Sequence, residues 1–191
     1  YGGPPNKFTT VKTRVYEEKM KKKKIAITFD IDWAPEYMIE NAITFFHQGG
    51  GKSATIFVTH GSKYIKRLLQ QSTEFDCLEL GLHPCMTKLG KKTLQDFKND
   101  MEDFYGSSIV ISRFHRLEYS YRNLYELGNC GIKYDNSYLT YLQPHLFKNR
   151  INNNISQIPY HFEDGTFENL GTEREVFYKF IQQQELLNVT F

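Results

Sequence analysis

Asp30 and Asp32 close the run Ile25-Ala-Ile-Thr-Phe-Asp-Ile-Asp-Trp33, which places two carboxylates at spacing i, i+2 on the end of an apolar, strand-like segment. Side chains on a strand alternate between faces, so both acids can leave the strand end towards one site and divide the work of base and metal ligand. A purely structural reading is an acidic pair that caps a helix beginning near Pro35. Further polar groups follow other strand-like runs: His60 in Val58-Thr-His-Gly61, His83 in Gly81-Leu-His-Pro84, then Arg113 and His115, Asp135, and finally His161, Glu163 and Asp164. Open and barrel α/β folds carry their functional residues at such strand ends. A lone histidine is usually structural, but Asp and His converging from several strands suit a divalent cation such as zinc, held by three protein ligands with a position open for water. The chemistry expected is hydrolysis. Asp32 and His83 are the first two candidate ligands and His115 the third, with His60 or His161 behind it. Cys85, two residues beyond His83 across a proline, reads as a buried thiol.

The elements that must hold these groups alternate along the chain. Strand-like runs at Ala54–Val58, Cys77–Leu82, Ser108–Ser112, Gly131–Tyr134 and Ile155–Tyr160 are separated by helical stripes at Pro35–Phe46, from Ser62 to about Gln71, at Thr93–Tyr105 and at Tyr119–Leu127. A last helix is expected near Glu173–Gln183 and a last strand from Leu186. Such alternation predicts a parallel sheet with crossover helices. At 191 residues and 22.5 kDa, with 40% hydrophobic and 24% charged residues, the chain has the size and composition of one globular domain. Residues 1–24, ending in Lys21-Lys-Lys-Lys24, read as a peripheral or partly flexible lead-in, and residues 25–191 as the domain itself. The chain stops on a strand-like run, so it is expected to be cut short at its C-terminus. A net charge of +2 makes no case for nucleic acid or an acidic membrane surface. Neither an apolar run near 18 residues nor a signal-type apolar region is present in it. Cys77, Cys85 and Cys130 are odd in number and lack CxxC spacing, so free thiols in a cytoplasmic protein are expected. The oligomeric state leaves no mark in the sequence.

Taken together, Thr28-Phe-Asp-Ile-Asp32, Ala54-Thr-Ile-Phe-Val58, Glu79-Leu-Gly-Leu-His-Pro84, Arg113-x-His115 and Gly131-Ile-Lys-Tyr-Asp135 resemble, in order, the motifs of NodB-like polysaccharide deacetylases, closest to their divergent branch associated with surface-polysaccharide genes. The resemblance covers about residues 25–191. It implies a distorted (β/α) barrel with fewer than eight parallel strands and metal-dependent removal of an acyl group from an amino sugar. By position it implies Asp30 as catalytic base, Asp32 as the metal carboxylate, His83 as the first metal histidine and Arg113 as the residue that orients the base. Two positions depart from the family pattern. The second metal histidine would fall at Thr87, which leaves His115 as substitute, and the late general-acid histidine would lie beyond Phe191 unless His161 takes its place. Trp33, His60, Asp135 and Asp164 complete the site as candidate contacts to a saccharide. Two other readings share the opening stretch: a haloacid-dehalogenase-like phosphatase using Asp30, Asp32, Mg²⁺ and Thr59, and a non-catalytic carbohydrate-binding relative of the deacetylases.

Overall fold

Alternation along β1 (Lys24–Asp30) sends Phe29, and Ile31 just after it, into the apolar core, and turns Thr28 and Asp30 to the opposite face. The computed structural model describes residues 24–140 except 72, together with 149–150, 155–163, 165, 175–176, 179 and 186–190. After β1 come α1 (Glu36–Gln48), β2 (Ser53–Val58), α2 (Lys63–Gln71), β3 (Cys77–Leu82), α3 (Leu94–Tyr105), β4 (Ile111–Ser112), a 3₁₀ turn (His115–Leu117), α4 (Tyr121–Asn129) and β5 (Tyr134–Asp135). Short strands β6 (Asn149–Arg150), β7 (Ser156–Gln157) and β8 (Phe162–Glu163) follow, and then β9 (Leu186–Thr190).

One sheet joins them in the order β6-β7-β5-β4-β3-β2-β1-β9-β8, parallel throughout except where β6 meets β7. Six parallel strands, β9, β1, β2, β3, β4 and β5, carry a curled half-barrel, and β6, β7 and β8 extend its edges. The curl is visible in who meets whom. Tyr160, just before edge strand β8, bridges Leu139 beyond β5, and its backbone exchanges hydrogen bonds with Tyr138 and Thr140. Arg113, at the end of β4, reaches Thr28 on β1 at 2.9 Å, although three strand spacings of about 4.8 Å would separate the two strands in a flat sheet. This is the distorted α/β barrel expected from the motifs.

The helices cover the outside of the sheet. Ile39 and Ile43 of α1, Ile65 of α2, Leu94 and Phe97 of α3, and Leu124 and Leu127 of α4 are buried with Ile56, Val58, Leu80 and Leu82 of the strands in one hydrophobic core. Each fully buried side chain of this kind contributes about 1.5–3 kcal/mol. Helix starts are satisfied locally. Thr93 and Asp96 form a reciprocal capping box on α3, and Ser120 and Asn123 do the same on α4. At α2 the Ser62 Oγ accepts from Ile65 N–H, while the Glu36 carboxylate accepts from Ser62 Oγ, Lys63 N–H and Tyr64 N–H. Pro35 occupies the N-cap of α1 with no side chain capping it, so the reading of Asp30 and Asp32 as helix caps is not the one the fold uses.

Several expected boundaries shift. The strand expected over 108–112 narrows to Ile111–Ser112, that over 131–134 becomes Tyr134–Asp135, and that over 155–160 becomes Ser156–Gln157. Gly131 takes φ +83°, a turn conformation that delays β5. Residues 1–23 and most of the helix expected over 173–183 lie outside the described residues.

Candidate functional site

Two left-handed turns set up the site. As β1 ends, Ile31 N–H donates to Phe57 O, and the backbone then takes φ 35° at Asp32 and 60° at Trp33, held there by a bond from Trp33 N–H to Thr59 Oγ1 (3.0 Å). Beyond β4 the same happens at Arg116 (φ 54°) and Leu117 (φ 57°), directly after His115. Non-glycine residues at positive φ cost of order 1–3 kcal/mol each and persist only where surrounding contacts impose them.

Asp32, His83 and His115 arrive from the ends of β1, β3 and β4, and one ligand atom from each lies within 4.8 Å of the others. Asp32 Oδ1 stands 3.0 Å from His83 Nε2 and 2.9 Å from His115 Nδ1, and the two imidazoles meet edge to face at 5.4 Å. The orientation of His83 follows from its other nitrogen. Its Nδ1 lies 2.7 Å from the Arg113 carbonyl, which can only accept, so Nδ1 carries a proton and Nε2 is the nitrogen that faces the carboxylate. An imidazole nitrogen 3.0 Å from a carboxylate oxygen has a proton or a cation between the two. The donor set, two imidazoles and one carboxylate oxygen with His83 oriented by a backbone carbonyl, therefore fits a divalent metal of the zinc type. The hydrogen bond from His83, against an opposing effect of partial burial, holds the Asp32 carboxyl below its usual range. Among the described residues this is the one such group.

Asp30 belongs to a second arrangement. Its Oδ1 accepts from Arg113 Nη1 at 2.8 Å, while Oδ2 stands 3.8 Å from His83 Nε2. Arg113 is 1% exposed, and four of its five N–H groups are engaged: besides the Nη1 bond to Asp30, Nη2 donates to Thr28 Oγ1 and to Asn136 Oδ1, and Nε donates to Asn136 O. Phe57 and Tyr160 lie against the guanidinium, their ring centroids 4.3 and 4.6 Å from Cζ. The Phe57 ring in turn needs Gly81 opposite it on β3, because a Cβ there would come within 2.3 Å of the ring. A cation gripped on every side gives Asp30 one orientation, with Oδ2 on the metal-group side.

A cavity of about 330 Å³ opens from His83 past Trp33, Thr59 and His60 to Lys88 and Lys92. Trp33 lies along it and meets His115 edge to face at 5.2 Å. His60 also lines it, with Nδ1 3.0 Å from Thr59 Oγ1, and burial pushes its imidazole down against the opposing charge of Glu36. Tyr105 steadies this loop by donating to the His60 carbonyl and accepting from Ser62 N–H.

The remaining sequence candidates are placed elsewhere. Asp135 is fully buried, accepting from Ser137 Oγ, Ser137 N–H and Gln157 Nε2, and burial pushes its carboxyl up against those bonds and the nearby Arg113. Its oxygens therefore serve the β4–β5 packing and are not open to the cavity. His161 is fully buried beside Tyr160 and is not one of the metal group. Asp164 lies outside the described residues. Thr87 is exposed and pairs with Cys85 Sγ at 3.2 Å, so the position of the family's second histidine is used within its own loop. Sequence reasoning missed Thr28, Phe57, Asn136 and Tyr160. Thr28 was the most accessible of them, since it shares a strand face with Asp30.

Residues 27–190 match the family model described as WbmS-like: Polysaccharide deacetylase. Comparison with curated protein sequences yields no match. Among solved structures, the chain is similar to a Bordetella bronchiseptica protein assigned as a polysaccharide deacetylase involved in O-antigen biosynthesis, with TM-score 0.69 and 22% identity over 88% of this chain and 72% of that one. It is also similar to a protein from Mycobacterium smegmatis assigned as a polysaccharide deacetylase, with TM-score 0.55 and 15% identity over 88% and 77%. At these identities the structural likeness speaks for the fold.

Proposed function

The chain belongs to the WbmS-like polysaccharide deacetylases, and on that footing we propose that it is a metal-dependent N-deacetylase acting on an amino sugar of a surface-polysaccharide precursor. The observation that carries this reading is the convergence of Asp32, His83 and His115 from three strand ends, with Nε2 of His83 turned to the carboxylate, beside a base held by a buried arginine.

In this mechanism Asp32, His83 and His115 would hold the cation, with His115 in the role the family gives to a histidine at the position of Thr87. A divalent ion, zinc by this donor set, supplies polarisation of the amide carbonyl and of the attacking water when bound. Asp30 accepts the water's proton at Oδ2, since Oδ1 is taken by Arg113. Arg113 keeps the carboxylate aimed, and the aromatic walls of Phe57 and Tyr160 shield the guanidinium from water. The departing nitrogen takes from Asp30 the proton that Asp30 accepted from the water. Trp33 and His60 line the cavity where the sugar ring would sit.

The test is acetate release from N-acetylated sugars, with metal content measured in parallel. Activity that depends on about one equivalent of metal, is lost on chelation and is lost in Asp30→Asn supports the proposal. Acetate release indifferent to chelation and to Asp30→Asn would sink the mechanism. The phosphatase reading gains nothing from the structure, because the histidines it leaves idle are the ones that gather around Asp32.

A further inference from the structure

Beyond His83 the loop after β3 carries no second histidine, but it delivers a cation. Lys88 Nζ sits 3.5 Å from the centroid of the Trp33 ring, in the wall of the same cavity that reaches His83. The turn that puts it there is held by Lys88 N–H and Leu89 N–H donating to the Cys85 carbonyl. The other lysine of the wall, Lys92, is neutralised by Asp100, also in the wall. Lys88 takes part in none of the ion pairs among the described residues. The charge left over in the cavity is therefore positive, and it stands one indole away from His115. At about 330 Å³ the space lies at the small end of ligand pockets, the size for one sugar unit and not a long segment of chain. An ammonium with no carboxylate partner, held over an aromatic face beside such a space, is suited to meet an anionic group on whatever enters.

We propose that this cavity selects an acidic N-acylated sugar, one bearing a carboxylate or a phosphate ester, and that Lys88 is the residue that reads the charge. The proposal rests on the deacetylase reading of the site and names its substrate class. Trp33 then has two roles, as a wall for the pyranose and as the platform that keeps the Lys88 ammonium at one height above it. The neutral form of His60 favoured by burial agrees with a single reading cation.

The experiment compares three probes, N-acetylglucosamine, N-acetylglucosaminuronic acid and N-acetylglucosamine 6-phosphate, on the zinc-loaded protein and on Lys88→Met, which keeps an unbranched apolar stem over Trp33. The wild type should show kcat/KM at least tenfold higher for one or both acidic sugars, and the arm that wins identifies carboxylate or phosphate. Lys88→Met should shrink that ratio at least fivefold, through KM, with an unchanged melting temperature. Equal efficiency on the neutral and acidic sugars overturns the proposal, as does a Lys88→Met variant that weakens all three alike, which would make Lys88 a prop for Trp33. Should no acetate be released from any probe, equilibrium binding of the same three decides separately. Tenfold tighter binding of an acidic sugar that Lys88→Met abolishes upholds the charge selection and removes the deacetylase reading. Absence of that difference overturns the charge selection as well.

Discussion

Arg113→Met should cost about 3–5 kcal/mol of folding stability and about 10²–10⁴ in kcat, because the guanidinium satisfies several buried acceptors at once. The magnitude follows from what is left behind. Thr28 Oγ1 and Asn136 Oδ1 lose a donor at sites 4% and 1% exposed, at about 1–3 kcal/mol per orphaned group. Asp30 loses its partner too, but its side chain is 21% exposed and water recovers part of that loss. Methionine refills most of the slot between Phe57 and Tyr160, so the cavity contribution is small. Against a total stability of about 5–15 kcal/mol this is a large fraction, and it is measurable by urea titration. A second substitution isolates the ion pair. With Asp30→Asn in place, Arg113→Met no longer leaves an unpaired charge, so the double variant should be more stable than the sum of the two single losses by about 1–3 kcal/mol. Additivity within about 0.5 kcal/mol, or an Arg113→Met variant within about 1 kcal/mol of the parent, would refute the idea that Arg113 is held by and for Asp30.

Three further outcomes are expected. His115→Ala and Asp32→Asn should each bring bound zinc, measured by elemental analysis after dialysis, well below one equivalent, whereas Thr87→Ala should leave it unchanged because Thr87 bonds only Cys85 in this site. Gly81→Ala should cost about 1–3 kcal/mol in urea denaturation, because the new Cβ falls 2.3 Å from the Phe57 ring, and acetate release should fall with it as Phe57 moves off Arg113. Burial pushes the Tyr105 hydroxyl up to about 12, so the folded state keeps a proton that the unfolded chain releases near pH 10. Its contribution to stability is complete below about pH 10 and is lost as pH rises towards 12, so stability should fall less steeply over that window in Tyr105→Phe than in the parent.

The chemistry of the strand ends was largely legible because it sits in short, local patterns. Asp30 and Asp32 at i, i+2, His83 after a buried strand, and Arg113-x-His115 all carry their meaning in spacing, and the structure brings Asp32, His83 and His115 together as their positions suggested. The turns were less visible. Nothing in Asp32-Trp33 or Arg116-Leu117 advertises positive φ, since neither pair contains glycine, and those conformations exist only because Thr59 and the neighbouring strands impose them. Asn136 and Tyr160 escaped notice for a related reason. One follows Asp135 by a single residue and the other lies 47 residues beyond Arg113, and only the curl of the sheet sets both against the same guanidinium. Asp135 shows the converse: a strand-end carboxylate by sequence, but the sheet covers it.

What the sequence determined by itself was the alternation of strand and helix and the set of acids, histidines and the arginine delivered at strand ends, because apolar periodicity and residue type are properties of neighbours in the chain. What only the tertiary structure decided was the pairing: which carboxylate meets Arg113 and which meets the imidazoles, that His115 and not Thr87 stands against Asp32 beside His83, and that Lys88 rests on Trp33. Those are distances between residues up to 83 positions apart, and they depend on how far a parallel sheet curls before its edges meet at Leu139 and Tyr160.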